Sequence, residues 1–207
     1  MLVAYSGGKD SLATMDICAA SGAKLDAFIM SFVPGMDYTA HWCDLAWERW
    51  RVKVREYQHW NVCYYLRGGI FCRGADCPIV TVSDVEACAK VDSGTDWCGW
   101  GFKKIDSLQR RGWLTKDWPK GRNEAKGQFT VIGDWSNTDV KNYLAARRLP
   151  IPGISGQRTT GINLLPENML FLRTNWPNDY RRVLRAFPGA AAQADRALRI
   201  REKKAAA

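Results

Sequence analysis

Tyr5-Ser6-Gly7-Gly8-Lys9-Asp10-Ser11 follows the apolar run Met1-Leu2-Val3-Ala4 and opens the helix-patterned segment Leu12-Ala13-Thr14-Met15-Asp16-Ile17-Cys18. A buried strand, a tight glycine turn and a helix start together make an anion cradle. The glycines permit positive φ and let backbone N–H groups approach a phosphate. The helix end adds partial positive charge, and Lys9 with the hydroxyls of Ser6 and Ser11 adds donors. Neither the G-x-x-x-x-G-K-[ST] pattern nor G-x-G-x-x-G can be laid over this stretch. A plain Ser/Gly turn capping a helix, with Asp10 in its first turn, would use the same residues.

Onward from the loop, strand and helix patterns alternate, as in a parallel sheet covered on both faces. Gly22 is placed to end the first helix. Leu25–Val33 reads as the second strand, stopped by Pro34-Gly35. Ala40–Trp60 reads as a helix from apolar recurrence at three and four, and Asn61–Leu66 as the third strand. Ser83 and Glu86 are spaced as a capping box. Trp97–Phe102 reads as a strand, Lys116–Gln128 as a mobile polar connection and Phe129–Gly133 as the last strand. Ser136 caps a helix with Asp139 at its third position. A helix pair runs from Glu167 to Lys204, broken at Pro177 and Pro188-Gly189. The expected fold class is α/β: a doubly wound, mostly parallel five-stranded sheet with helices on both faces, plus a helical C-terminal extension.

Ser6-Gly7-Gly8-Lys9-Asp10-Ser11 resembles the signature of the PP-loop family, the N-type ATP pyrophosphatases and adenine nucleotide α-hydrolases. The phosphoadenosine phosphosulfate (PAPS) reductase branch has a strand ending in glycine, then a basic residue, an acidic-Ser pair and an arginine one turn later. Gly101, Lys104, Asp106, Ser107 and Arg110 are similar to that arrangement. Asp134–Leu144 and Leu149-Pro150 resemble a later segment of the same family. The resemblance implies a nucleotide-binding domain over residues 1–153, with ATP or PAPS as substrate together with Mg²⁺. Within it, Ser6, Gly7, Gly8, Lys9 and Ser11 hold phosphates, Lys9, Asp10 and Ser11 carry the chemistry, and the main chain at Ser31 and Phe32 meets the adenine. Lys104 and Arg110 at a helix start form an anion clamp, or else an ordinary basic helix surface.

The chain departs from that branch after Pro152. It has no cysteine beyond Cys98 and no histidine beyond His59, so the tail nucleophile of the reductases is missing. The tail instead carries Ser155–Asn163, where Arg158 is either a pyrophosphate ligand or part of a solvated turn. ATP-dependent adenylation of a substrate, in sulfur metabolism or nucleic-acid modification, needs no covalent nucleophile and fits best. A thiol-dependent sulfonucleotide reductase would have to use Cys72, Cys77 or Cys98. A non-catalytic nucleotide- or nucleic-acid-binding module is the third reading.

Composition narrows the partners. The 207 residues carry a formal net charge of +9, which suits nucleotides or nucleic acid. Much of the excess lies from Arg147 onward, in a basic helical extension over 154–207 expected to pack on the first domain. Its arginines offer a nucleic-acid face or a solvated one. The seven cysteines are an odd number, which argues against a disulfide framework. Cys72 and Cys77 are either structural thiols or half of a zinc site completed by Cys43, Cys63, His41 or His59; structural thiols are expected, with no resident metal. The ten tryptophans serve core, base stacking or a homodimer contact. No apolar run reaches the length of a membrane span, and a cytoplasmic enzyme is expected.

Overall fold

β1 (Leu2–Ala4) is an uninterrupted apolar run, and Leu2 and Val3 are fully buried. Such a run belongs inside a parallel sheet, where both faces are covered. In the computed structural model, which describes residues 1–153 and 162–205, β1 has parallel neighbours on both sides. Leu2 stands opposite Asp26 of β2 (Asp26–Ser31) and opposite Cys98 of β4 (Cys98–Gly99). β4 pairs in parallel with β6 (Gln128–Phe129), and β5 (Arg122–Asn123) runs antiparallel to β6. With β3 (Val54–Gln58) the order is β3-β2-β1-β4-β6-β5. The expected α/β class holds, with six strands instead of five. Strand order reverses at β1, which puts the following loop at a switch point, where open α/β sheets bind ligands.

The helices are α1 (Lys9–Ala20), α2 (Asp37–Trp50), α3 (Asn61–Arg67), α4 (Val82–Ser93), α5 (Leu108–Lys116), α6 (Asn137–Ala146), α7 (Pro166–Asn175), α8 (Pro177–Ala186) and α9 (Ala191–Ala205). Four local readings are corrected. The helix expected through Trp60 stops at Trp50, where Arg51 takes φ 57° and turns the chain into β3. Asn61–Leu66, read as a strand, is α3, because a short apolar run fits either state and only its surroundings decide. The connection Lys116–Gln128, expected to lack regular structure, contains edge strand β5 at Arg122–Asn123, and Asn123 accepts from Lys126 N at 3.0 Å to cap the turn before β6. The capping box of α4 lies two residues before the expected one. Asp84 N donates to Thr81 Oγ1 at 3.2 Å, and Thr81 N donates to Asp84 Oδ2 at 2.8 Å. The box on Ser136 and Asp139 is present as read.

The described residues form two compact units. The first comprises Met1–Ile29, Cys43–Arg55 and residues 86–153; the second comprises Met30–Trp42, Glu56–Val85 and residues 162–205. In the second, Phe32, Met36, Val62, Leu164, Met169, Leu172, Val183 and Phe187 make a continuous apolar core. Its polar tie is Asp179, fully buried, whose carboxylate accepts from Asp37 N at 2.8 Å and Tyr38 N at 2.7 Å. The α8 side chain therefore caps the first turn of α2, and Arg182 braces both Asp37 and Asp179.

The first unit has its own tie at Asp16, 1% exposed on α1. It accepts from Trp50 Nε1 at 2.9 Å, Tyr143 Oη at 2.8 Å and Arg147 Nε at 2.7 Å. Burial pushes this carboxyl up, but bonds from Arg147, Trp50 and Tyr143 together hold it below the usual range. Its stabilisation is therefore present above the unfolded carboxylate pKa and lost as pH falls through the lowered native value. Replacing Asp16 by Ala removes the acceptor shared by Trp50, Tyr143 and Arg147 and should cost about 1–3 kcal/mol, the usual penalty for leaving part-buried donors unsatisfied. Urea unfolding at pH 7 should show that loss, and it should shrink as pH falls through the lowered native value.

Candidate functional site

The loop after β1 is tied by its own hydroxyls. Gly7 takes φ 67°, a conformation that only glycine enters cheaply, and Gly8 is the extended N-cap of α1. Ser11 Oγ donates to Gly8 O at 2.9 Å and accepts from Ser6 N at 3.1 Å and Ser6 Oγ at 3.2 Å. The Ser11 hydroxyl, expected to meet phosphate, is thus spent on holding the loop. Leu12 N donates to Gly8 O at 2.9 Å, so the N–H groups of the first turn precede the first intrahelical bond, the end of a helix that receives anions.

Alternating charges run back from that helix start. Lys9 Nζ lies 2.6 Å from Asp10 Oδ2, and Asp10 Oδ1 lies 2.6 Å from Lys103 Nζ. Lys103 Nζ is 2.9 Å from Asp106 Oδ1, and Arg110 reaches Asp106 Oδ2 at 3.7 Å while its guanidinium lies 4.1 Å from the Phe102 ring centre. Lys103 is fully buried, and it meets Asp10 as an ion pair outside hydrogen-bond alignment. Gly101 makes this approach possible, because a Cβ there would stand 3.0 Å from the Asp10 carbonyl carbon and 3.1 Å from Ser11 N. Burial lowers the Lys9 pKa despite the pull of Asp10, and the Lys103 charge adds to the lowering.

The loop residues, Gly101 and Arg110 therefore belong to one constellation, joined through Lys103. That lysine was passed over in the sequence in favour of Lys104. The signal for it was Lys103-x-x-Asp106, a capping spacing realised by Lys103 N donating to Asp106 Oδ2 at 3.1 Å. Lys104 joins a different group, with its Nζ 2.6 Å from Asp134 Oδ1. Ser31 and Phe32 belong to the second unit. There Ser31 Oγ donates to Glu56, Ser31 O accepts from His59 N at 2.8 Å, and the buried Phe32 ring stacks on His59 at 4.4 Å. Arg158 lies outside the described residues.

For a resident metal the fit is poor. Both Asp10 oxygens already lie against lysine nitrogens, and no group of three His, Cys, Asp or Glu side chains suited to a metal exists among the described residues. Cys72 Sγ donates to Tyr65 O and Cys77 Sγ to Cys63 O, each at 3.7 Å.

No family profile matches the chain, and no curated protein sequence does. Among solved structures, the chain is similar to the U34-tRNA thiolase NcsA from Methanococcus maripaludis with its 4Fe–4S cluster, at 11% identity and TM-score 0.48, over 89% of this chain and 68% of that one. It is also similar to phosphoadenylyl-sulfate (PAPS) reductase from Candida auris in a phosphate complex, at 11% identity and TM-score 0.44, over 72% of this chain and 74% of that one. At 11% identity neither likeness assigns a residue role or an activity to this chain.

An anion bound beside Lys9 would raise its lowered pKa again, so binding should take up a proton in the alkaline range where free Lys9 is partly neutral. Calorimetric titration with inorganic sulfate, which does not itself titrate in that range, in two buffers of different ionisation enthalpy, should show net proton uptake at alkaline pH that diminishes toward neutral pH and is lost in Lys9→Met.

Proposed function

We propose that this chain is an adenine-nucleotide enzyme of the PP-loop superfamily, in the PAPS reductase-like branch. It would cleave the α–β phosphate bond of ATP and adenylate a second substrate. The observation that carries the reading is the coincidence, at the start of α1, of a left-handed Gly7, the helix N-terminus and an amine held by a carboxylate with its own buried counter-charge.

In this reading the first-turn N–H groups and the Ser6 hydroxyl receive phosphate oxygens, while Ser11 keeps the loop in shape. A substrate oxygen attacks the α-phosphorus, the bond to the bridging oxygen breaks, and its electron pair leaves with pyrophosphate. Lys9 neutralises that leaving charge, with Arg110 as the second cation. Asp10 holds Lys9 in place, and Lys103 holds Asp10. Every contribution is electrostatic and preorganised, so no covalent nucleophile is required. Mg²⁺ enters as part of the Mg–ATP substrate, in keeping with an ion that usually arrives with phosphates and few protein ligands.

The thiol-dependent alternative gains no support from Cys98, which is buried and whose thiol is pushed well up by desolvation. We assign the nucleotide chemistry to residues 1–153 and a polyanionic partner, nucleic acid among the candidates, to the basic helices of 154–207. Supporting that partner, Arg181, Arg182 and Arg185 of α8 surround a surface cavity of about 570 Å³.

A ³¹P NMR time course with Mg²⁺ and ATP should show pyrophosphate, together with AMP where water is the nucleophile or an adenylylated acceptor where one is supplied. Lys9→Ala should slow this by about 10²–10³-fold, the usual loss for one preorganised charge-stabilising group. Turnover equal to wild type in Lys9→Ala, or absence of nucleotide binding by the wild type, would overturn the assignment.

A further inference from the structure

Trp118, next to edge strand β5, is fixed by aromatic neighbours. Its ring centre lies 4.9 Å from Trp113 and 6.0 Å from Phe102, and Phe102 stacks on Trp100 at 4.9 Å. The residue is 2% exposed, yet its indole N–H finds no acceptor among the described residues. Buried indole donors are ordinarily satisfied, so an orphaned one calls for an explanation.

Trp118 lines a cavity of about 460 Å³ inside the first unit, together with Leu114, Trp135, Lys104, Lys120 and Asp134. That volume is in the range of small-molecule sites, and so is the mixture of aromatic walls with a few polar groups. Two of the lining side chains are cationic and one is anionic. Asp134 is 82% exposed and pairs with Lys104, itself 38% exposed; exposed pairs of this kind have little net worth, so an incoming anion can exchange with Asp134 readily. Lys120 holds φ 56°, a left-handed conformation that a lysine rarely adopts.

We propose that this cavity binds a small planar acid, an aromatic ring carrying a carboxylate or a phosphate group. The ring packs on the Trp118 and Trp135 walls, the acidic group is neutralised by Lys104 and Lys120, and the Trp118 N–H, buried behind that wall, reports on its occupancy. The proposal rests on these residues alone and stands whether or not the chain turns over ATP.

The test uses full-length protein carrying ¹⁵N in its tryptophan indoles, titrated with benzoate and separately with phenyl phosphate. The indole resonance missing from Trp118→Phe should move saturably with at least one probe, and the better probe identifies the acid. In Lys104→Met/Lys120→Met, whose substitutions fall on solvent-accessible side chains, the same resonance should remain visible and the affinity should fall at least 10-fold. A Trp118 signal that moves with neither probe at millimolar concentrations overturns the proposal. So does a response of equal affinity in the double-lysine variant. If Trp118→Phe fails to fold, the affinity comparison between wild type and the double-lysine variant decides the matter by itself.

Discussion

A lysine ammonium with no solvent exposure must be neutralised where it sits, since an isolated buried charge costs several kcal/mol. Lys103 is that group, and much of the first unit is arranged to meet its demand. Asp10 comes from the first turn of α1 and Asp106 from the short turn after β4, so one amine joins the glycine loop after β1 to the neighbouring strand end. The joint closes only because position 101 carries no side chain. Lys9 then inherits its setting: its carboxylate partner is already balanced from behind, and burial leaves its own charge less than fully favoured.

Much of this was legible in the sequence. The hexapeptide after an apolar strand located the loop, the helix start and the glycine turn, and the capping box at Ser136 and Asp139 was read correctly, because these features are local. What was not legible depends on distant partners. Val54–Gln58 and Asn61–Arg67 exchanged strand and helix assignments: the mixed Val54-Arg55-Glu56-Tyr57-Gln58 continues the helical recurrence before it, the short apolar run after Asn61 fits either state, and only the surroundings decide. Asn123 looked like loop chemistry and became part of an edge strand through pairing with β6. Of two adjacent lysines, the buried one is 103, a distinction set by the facing carboxylates and invisible in a Lys-Lys dipeptide.

The two units use polar ties of the same kind. Asp16 gathers Trp50, Tyr143 and Arg147, and Asp179 gathers the first turn of α2 and Arg182. In each case a buried carboxylate has its oxygens met by donors from other elements, which is what makes such a group tolerable in an apolar setting. Apolar burial supplies most of the favourable energy, at about 1.5–3 kcal/mol per large side chain, while these carboxylates set which helices meet.

The Asp179 cap also bears on the order of events during synthesis. Its carboxylate closes on a backbone amide 142 residues earlier, so the first turn of α2 lacks this partner until the third stretch of its unit has left the ribosome. The second unit is drawn from three separated stretches of chain, and a continuous fragment cannot reproduce it. Closing contacts over such separations is entropically demanding before they repay the cost. The apolar residues of the nascent α2 region therefore wait for residues 162–205 before their core can close, the interval in which a chaperone would find them.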